Sequence, residues 1–288
     1  MKEIKKQENL VYSGKSKEVY EILDGTYAGK YRFVFTDRVT GYIDDKGNFN
    51  PDPGSDKVGG IISGKGEIAC QIATYFFELL KNKEIPSHYI KTINKNEMVV
   101  EPAILFSMPA QAPKINGSAP LQNLEWVWRY NAAGSYCMRY PFVKPGKYLG
   151  ENKKDLDFLV EVTIKGEKDI PIDKDSLAAA GVMTRKDISD AVKLVKNIAK
   201  IVYKEFESKG LHIIDGKFEL GRLKKDGKVV LIDEISPDVL RVCKGYVPDE
   251  KRDCRIYMEC IDKIGEGGKN LLDPNEIIKI FSDKNKGR

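Results

Sequence analysis

The sequence predicts an α+β protein with antiparallel strands. Three observations carry this expectation. Short alternating strand candidates come in clusters, only a few long amphipathic helices separate them, and no regular strand–helix–strand alternation is present. The chain has 288 residues, enough for one large domain or two modest ones with ample cores. The expected division is a β-rich segment 1–100, an α+β segment 101–265 and a helical tail 266–288.

The elements follow in order. Leu10–Tyr12, Glu18–Leu23 and Tyr31–Thr36 alternate like strands, and Asp24-Gly25 reads as the turn between the last two. Residues 44–60 are loop by composition. Ile68, Ile72, Phe76 and Leu79/Leu80 fall on one helical face, so 68–80 is a helix with its apolar stripe inward. Met98–Phe106 is a strand candidate that Pro102 bends or places at an edge. Residues 107–124, rich in Pro, Ala, Asn and Gly, read as an inserted loop.

The clearest helix runs from 186 to 209. Thr184 with Asp187 supplies a capping-box start and Gly210 a stop. Strands Leu211–Ile214 and Phe218–Leu223 then lead to a turn at Asp226-Gly227, from which Val229–Ile232 returns. A short apolar segment (Ile277, Ile278, Ile280, Phe281) precedes a basic tail.

Composition narrows the function. Hydrophobic residues make up 41% and charged residues 32%, as in soluble globular proteins. No apolar run approaches the roughly 20 residues that span a bilayer, and the first residues lack a signal-peptide core, so a cytoplasmic address and no membrane partner are expected. The net charge of +5 arises from well-mixed signs, with no basic block or interleaved aromatics, so no nucleic-acid partner is expected. Cys70, Cys137, Cys243, Cys254 and Cys260 form no CxxC pair and read as reduced thiols. His88 and His212 are read as structural, which leaves carboxylates and a hard cation as the plausible metal chemistry. The sequence leaves the oligomeric state open, a homo-oligomer included.

Four constellations carry chemistry. A two-residue turn at Asp226-Gly227 puts Glu219 opposite Glu234, and a three-residue loop with a bulge puts it opposite Asp233. Either way two carboxylates repel across a strand pair unless a cation or proton lies between them. Solvated acids at a strand end are the alternative. Gly14-Lys-Ser-Lys-Glu-Val-Tyr20 is a glycine–lysine turn that could cover phosphates, or an ordinary hairpin turn; Asn9 excludes a Walker A motif. Arg129 and Arg139 bracket the small residues Ala132–Ser135, which suits close approach to an anion or close packing. Ser63-Gly-Lys-Gly66 opens the first helix and suits an anion or a plain N-cap. No serine-hydrolase triad or Cys/His pattern is present.

Taken together and in order, these pieces resemble the SAICAR synthetase family of purine biosynthesis. GKSKEVY (14–20), TDR (36–38), GKGE (64–67), RYNAAGS (129–135), LHIIDGKFELG (211–221) and DEISPDVLR (233–241) each match a family motif. The resemblance implies an α+β fold whose N-terminal antiparallel sheet carries a kinase- or ATP-grasp-like nucleotide hairpin. It implies a ligase that phosphorylates the carboxylate of CAIR with ATP and joins it to the amine of L-aspartate. On the same footing Lys15, Lys17, Glu101 and Lys217 contact ATP, and Glu219 and Asp233 hold Mg²⁺. Arg129, Ser135, Ser236, Asp238 and Arg241 bind the nucleotide substrate, and Lys217, Asp238 and Arg241 form the catalytic set. Val239-Leu240 and Val242-Cys243 depart from the family's pattern, and Lys165–Pro171 echoes its lysine segment only loosely. A related ligase with another substrate, or a small-molecule kinase on the same scaffold, is the alternative.

Overall fold

A computed structural model of the chain describes residues 7–40, 42–43, 49–50, 58–61, 63–106, 123–165 and 170–244. Among these, the residues up to Ile104 together with Gly221–Ile232 form one unit, and Leu105–Leu220 with the residues from Asp233 onward form the other. Segment 221–232, expected with the second domain, thus groups with the first. The expected tail 266–288 and residues 107–122 of the insertion lie outside the described residues.

The first unit begins with β1 (Glu8–Ser13), β2 (Lys17–Ile22) and β3 (Tyr31–Phe35), each antiparallel to the next. The β2–β3 connection needs left-handed backbone at Gly25 and Gly29, with φ of 77° and 75°, a region open to glycine at no steric cost. Two short ladders follow, β4 (Arg38–Thr40) with β7 (Val58–Ile61) and β5 (Tyr42–Ile43) with β6 (Phe49–Asn50). Of segment 44–60, read as loop by composition, Phe49–Asn50 and the residues from Val58 are therefore strand. Gly59 and Gly60 give no β signal, yet Gly60 pairs with Val39, and Gly59 sits at the register shift between Val39 and Thr40.

Helix α1 (Lys65–Asn82) buries Ile68, Ile72, Ala73, Phe76, Phe77 and Leu80, the face its periodicity announced. β8 (Tyr89–Asn94) and β9 (Glu97–Val100) complete a five-stranded sheet ordered β1-β2-β3-β9-β8. The expected strand 98–106 is two strands, β9 and β10 (Ala103–Leu105). The break falls where Pro102 has no N–H and the Glu101 amide turns aside to donate to His88 O at 2.7 Å.

The second unit carries β11 (Leu124–Arg129), α2 (Ser135–Arg139), β12 (Leu159–Ile164), β13 (Ile170–Ile172), α3 (Lys174–Ala179) and α4 (Arg185–Glu207). Thr184 caps α4 as expected, its hydroxyl oxygen accepting from Asp187 N at 3.1 Å, and Gly210 follows with φ 73°. β14 (Leu211–Leu223) comes next, one continuous strand where two were expected. Asp215, Gly216 and Lys217 read as a break, but neighbouring strands take both charges. A Cβ on Gly216 would stand 2.8 Å from the Trp128 ring, so glycine is required there.

Within this unit β16 (Leu240–Lys244), β14, β11, β12 and β13 lie side by side, all antiparallel. The last residues of β14 belong to the first unit with β15 (Val229–Ile232), where Leu223, Val230, Ile232 and Ala103 pack together. Trp126, Trp128, Phe158, Tyr203, Phe206 and Phe218 are fully buried in the second unit. No helix among the described residues is long and apolar enough to cross a membrane.

At the start of α1 the Asp37 carboxylate accepts from Gly64 N at 3.1 Å and Gly66 N at 2.9 Å. The anion expected at this helix N-terminus is therefore the chain's own. Losing a cap of this kind typically costs about 1 kcal/mol. Asp37→Ala is expected to lower the unfolding free energy from urea melts by that amount, so that the midpoint falls at unchanged m-value, and an unchanged midpoint would remove the capping role.

Candidate active site

Side chains alternate along a strand, and strands β11, β12 and β14 gather most of their charged residues on one sheet face. That face carries Glu125 and Arg129 from β11, Asp215, Lys217 and Glu219 from β14, and Glu161 and Thr163 from β12, with Lys165 immediately after. The opposite face carries Trp126, Trp128, Val160, Val162 and Phe218 into the core.

Glu125 and Glu219 are direct register partners across β11 and β14, and both are buried. Two facing carboxylates repel, so each is compensated. Glu125 takes an ion pair from Lys217 and a hydrogen bond from Thr163 Oγ1 at 3.2 Å. Glu219 takes Lys165 Nζ at 2.5 Å and Asn123 Nδ2 at 2.9 Å. Burial, and then the charge of Asp233, push the Glu219 carboxyl up, with Lys165 and Asn123 opposing them. Burial acts to lower the pKa of the Lys165 ammonium, but Glu219 and Asp233 outweigh it and the net shift is upward.

The two expected hairpin registers are not formed. Leu223 N donates to Lys228 O at 3.0 Å and Gly227 N to Leu223 O at 2.8 Å, so four residues make the turn where two or three were expected. Asp233 lies one residue past β15, in the left-handed region at φ 67°. That turn brings its charge to Glu219 and Lys165. Such backbone is rare outside glycine and tends to mark functional positions. No group of three or more His, Cys, Asp or Glu side chains suited to a metal ion occurs among the described residues. A pair of carboxylates nevertheless fits Mg²⁺, which commonly binds one or two carboxylates and completes its shell with phosphates and water.

Beside this cluster runs a string of alternating charge. Arg241 Nε meets Asp215 Oδ1 at 3.3 Å, and Asp215 Oδ2 meets Arg129 Nη1 at 2.7 Å. Arg129 Nε meets Glu161 Oε2 at 2.6 Å, whose other oxygen takes Arg139 Nη2 at 2.6 Å. Arg129 Nη2 also donates to Ser135 Oγ at 3.3 Å. Gly134, at φ 52°, lies so close to Arg241 that a Cβ there would come within 2.3 Å of Nη1. Arg241 Nη1 and Arg139 Nε are shielded from solvent and have no hydrogen-bond partner among the described residues. Both ends of the string thus present an unsatisfied cationic donor, an arrangement suited to an anion.

Ser236 is fully buried, and its hydroxyl accepts from Asp238 N at 3.2 Å. It shapes the 3₁₀ turn Pro237–Val239 from which the exposed Asp238 projects. In the first unit the glycine–lysine turn is held from behind. Gly14 N donates to Lys17 O at 2.9 Å, and Thr36 N to Ser16 O at 2.8 Å. Thr36 Oγ1 donates to Lys15 O at 3.0 Å, and Arg38 Nη1 to Gly14 O at 2.9 Å. The ammonium of the buried Lys17 lies 5.7 Å from the Phe33 ring centre and 5.6 Å from that of Phe35.

Glu101 differs from expectation in its surroundings. Its carboxylate pairs with Lys30 at 2.7 Å and Lys225 at 3.1 Å, and its amide is bound to His88. The adjoining Pro102 carbonyl accepts from Lys224 N at 3.0 Å. Glu125, Glu161, Lys165 and Asn123 were not among the expected site residues. The only signal for the first was the alternation of Glu125, Val127 and Arg129 with the two tryptophans in Leu124-Glu-Trp-Val-Trp-Arg129.

Residues 10–255 match the family model described as SAICAR synthetase. Phosphoribosylaminoimidazole-succinocarboxamide synthase of Clostridium tetani (strain Massachusetts / E88) is 38% identical over 239 residues, 82% of this chain and 92% of its own. The Methanocaldococcus jannaschii protein of the same name is 29% identical over 245 residues, 84% of each chain. Among solved structures, a type-2 SAICAR synthetase in complex with ADP aligns with TM-score 0.66 at 24% identity, covering 95% of this chain and 97% of its own. The Ehrlichia chaffeensis phosphoribosylaminoimidazole-succinocarboxamide synthase aligns with TM-score 0.65 at 20% identity, covering 92% and 100%. The structural likeness establishes the fold.

Burial pushes the Glu101 carboxyl up, but Lys30 and Lys225 outweigh it and hold the group below its ordinary value. A depressed carboxyl contributes stability that is present above the ordinary carboxylate pKa and is lost as pH falls through the folded one. Glu101→Gln is therefore expected to be less stable than the parent at pH 7, with the gap closing below about pH 4. Parallel stability–pH curves from urea melts would contradict the pairing.

Proposed function

The chain belongs to the SAICAR synthetase family, and from that premise we propose that it joins the carboxylate of CAIR to the amine of L-aspartate. A carboxylate oxygen of CAIR attacks the γ-phosphorus of ATP, and ADP leaves with the electrons of the broken P–O bond. The amine nitrogen of aspartate then adds to the acyl-phosphate carbon. The tetrahedral adduct expels inorganic phosphate, the nitrogen loses its proton, and the amide of SAICAR remains. Phosphorylation is needed because a free carboxylate is a poor electrophile, so the protein's task is largely positioning and charge neutralisation.

The observation that supports this reading best is one sheet face holding two different anion-handling devices. Glu219 and Asp233 would hold Mg²⁺, which supplies charge neutralisation on the transferred phosphoryl group. Lys217, fixed by Glu125, is a nucleotide contact. Lys15 and Lys17 contact ATP phosphates, and Lys17, shielded by two rings, is a weakly hydrated charge that attracts anions more strongly than a surface lysine. Arg129, Arg241 and Ser135 grip the phosphate of the nucleotide substrate with directional donors. Asp238, on its fixed turn, meets the imidazole portion. A reducing cytoplasm suits the free Cys137 thiol.

The decisive assay is phosphate release from ATP. Release that requires both CAIR and aspartate, with SAICAR formed in equal amount, is expected. ADP formation with an alcohol acceptor and no amine would replace the ligase with a kinase.

Lys165 provides a second test, on the metal. Its ammonium now compensates Glu219, so a divalent ion at the same carboxylates competes with it. Lys165→Met is expected to bind Mn²⁺ about tenfold tighter than the parent without nucleotide, about 1.4 kcal/mol, as read by the free-ion electron paramagnetic resonance signal. Equal or weaker binding would remove Lys165 as the competitor, and no binding to either protein would remove the metal assignment.

A further inference from the structure

His212 takes no part in the chemistry above, yet it is among the most fully engaged side chains of the second unit. It sits at the start of β14 on the core face, buried. The Tyr130 and Tyr203 rings stand edge-on to it at 5.3 Å and 5.6 Å. Its Nδ1 lies 3.0 Å from Tyr203 Oη and its Nε2 3.1 Å from Asn131 Oδ1. The Asn131 amide nitrogen donates to Gly146 O at 2.9 Å.

These contacts fix every hydrogen. An amide nitrogen only donates, so Asn131 turns its oxygen to His212, and an amide oxygen only accepts. Nε2 therefore carries the hydrogen, and Nδ1 offers a lone pair to the Tyr203 hydroxyl. The hydrogen bonds run one way, from Tyr203 through His212 and Asn131 to the Gly146 carbonyl. Burial, with the Lys153 charge adding to it, pushes the imidazole down to about 3, so the ring is neutral near pH 7.

The relay passes through Asn131, next to the segment that leads to Ser135, and ends on the Gly146 carbonyl. Residues 132–134 lie outside any strand. They are held by Ala132 N donating to Lys147 O at 2.8 Å, by Gly146 N donating to Ala132 O at 2.9 Å, and by the Asn131 side chain. Immediately beyond, Gly134 packs on the Arg241 guanidinium and Ser135 accepts from Arg129.

We propose that His212 is a positioning residue. Through Asn131 it sets the pose of residues 131–135, and so the geometry in which Arg129 and Arg241 receive a phosphate-bearing ligand. The identity of that ligand as the nucleotide substrate rests on the ligase reading, whereas the relay itself does not.

The test uses the full chain. His212→Phe keeps an aromatic ring and removes both hydrogen bonds. His212→Gln restores an N–H that can reach Asn131, and Asn131→Ala breaks the relay outside the aromatic core should the phenylalanine variant fail to fold. His212→Phe and Asn131→Ala are expected to raise the KM for CAIR about tenfold with kcat and the KM for ATP within twofold, and His212→Gln is expected to recover most of the loss. Long-range ¹H–¹⁵N spectra are expected to show His212 protonated on Nε2 and not titrating between pH 5.5 and 9. An unchanged KM for CAIR, equal rises for CAIR and ATP, or an Nδ1-protonated ring would overturn the proposal. A parent protein without ligase activity would sink the functional reading instead. Calorimetric titration with ribose 5-phosphate then decides the relay, which requires weaker binding in both relay-breaking variants and is refuted by equal binding.

Discussion

The facing of Glu125 and Glu219 across two buried strands is the constraint from which the rest of the second unit follows. Antiparallel pairing fixes them opposite one another, and leaving either charge uncompensated in such a place costs several kcal/mol. Each therefore draws a cation and a neutral donor from a different part of the chain: Lys217 and Thr163 for one, Lys165 and Asn123 for the other. A one-residue slip between β11 and β14 would turn these charges into the tryptophan core and the tryptophans outward. The polar face thus helps to specify the register even though ion pairs of this kind add little net stability. Stability comes from the other face, where Trp126, Trp128 and Phe218 are removed from water.

The arginine string applies the same logic to positive charge. Asp215 and Glu161 each bridge two guanidinium groups, so three arginines are held by two carboxylates and the string keeps a surplus of positive charge. Lysine could not replace Arg129, because one ammonium lacks the planar fork that reaches Asp215, Glu161 and Ser135 at once. Pre-organisation of this kind reduces the ordering that an incoming anion would otherwise impose. It also explains Gly134, whose missing side chain leaves room for Arg241.

Much of the scaffold was legible in the sequence because it follows local rules. The 3.6-residue period marked α1 and α4, Thr184 and Asp187 marked the start of α4, and Asp24-Gly25 marked the turn after β2. The motif residues of β14 also pointed to their face, since Asp215, Lys217 and Glu219 stand two apart. The partners were not legible, because Glu125 and Lys217 lie 92 residues apart, and Lys165 and Glu219 lie 54 apart; only pairing through β11 and β12 brings them together. The hairpin register failed for a local reason. Asp226-Gly227 does lie in the turn, but a turn residue does not reveal how many neighbours join it. At β7 and at the centre of β14, glycine hid strands, although Gly60 pairs with Val39 and Gly216 with Trp128.

Asp233 shows how the two levels of constraint meet. A residue placed one beyond a strand would ordinarily continue the alternation, and its side chain would leave the face that holds Glu219. The left-handed backbone at Asp233 breaks that alternation and returns the carboxylate toward Glu219 and Lys165. Glycine would adopt the same backbone with less strain but would bring no charge, and a β-branched residue would resist it. Aspartate is among the few charged residues that tolerate the conformation and still reach a neighbour with a short side chain. The DEISPD segment therefore does three things in sequence. It ends a core strand, bends the chain at a residue chosen for charge over comfort, and fixes the following turn through the buried hydroxyl of Ser236. The like-charge repulsion between Asp233 and Glu219 is met by Lys165, whose ammonium feels both carboxylates.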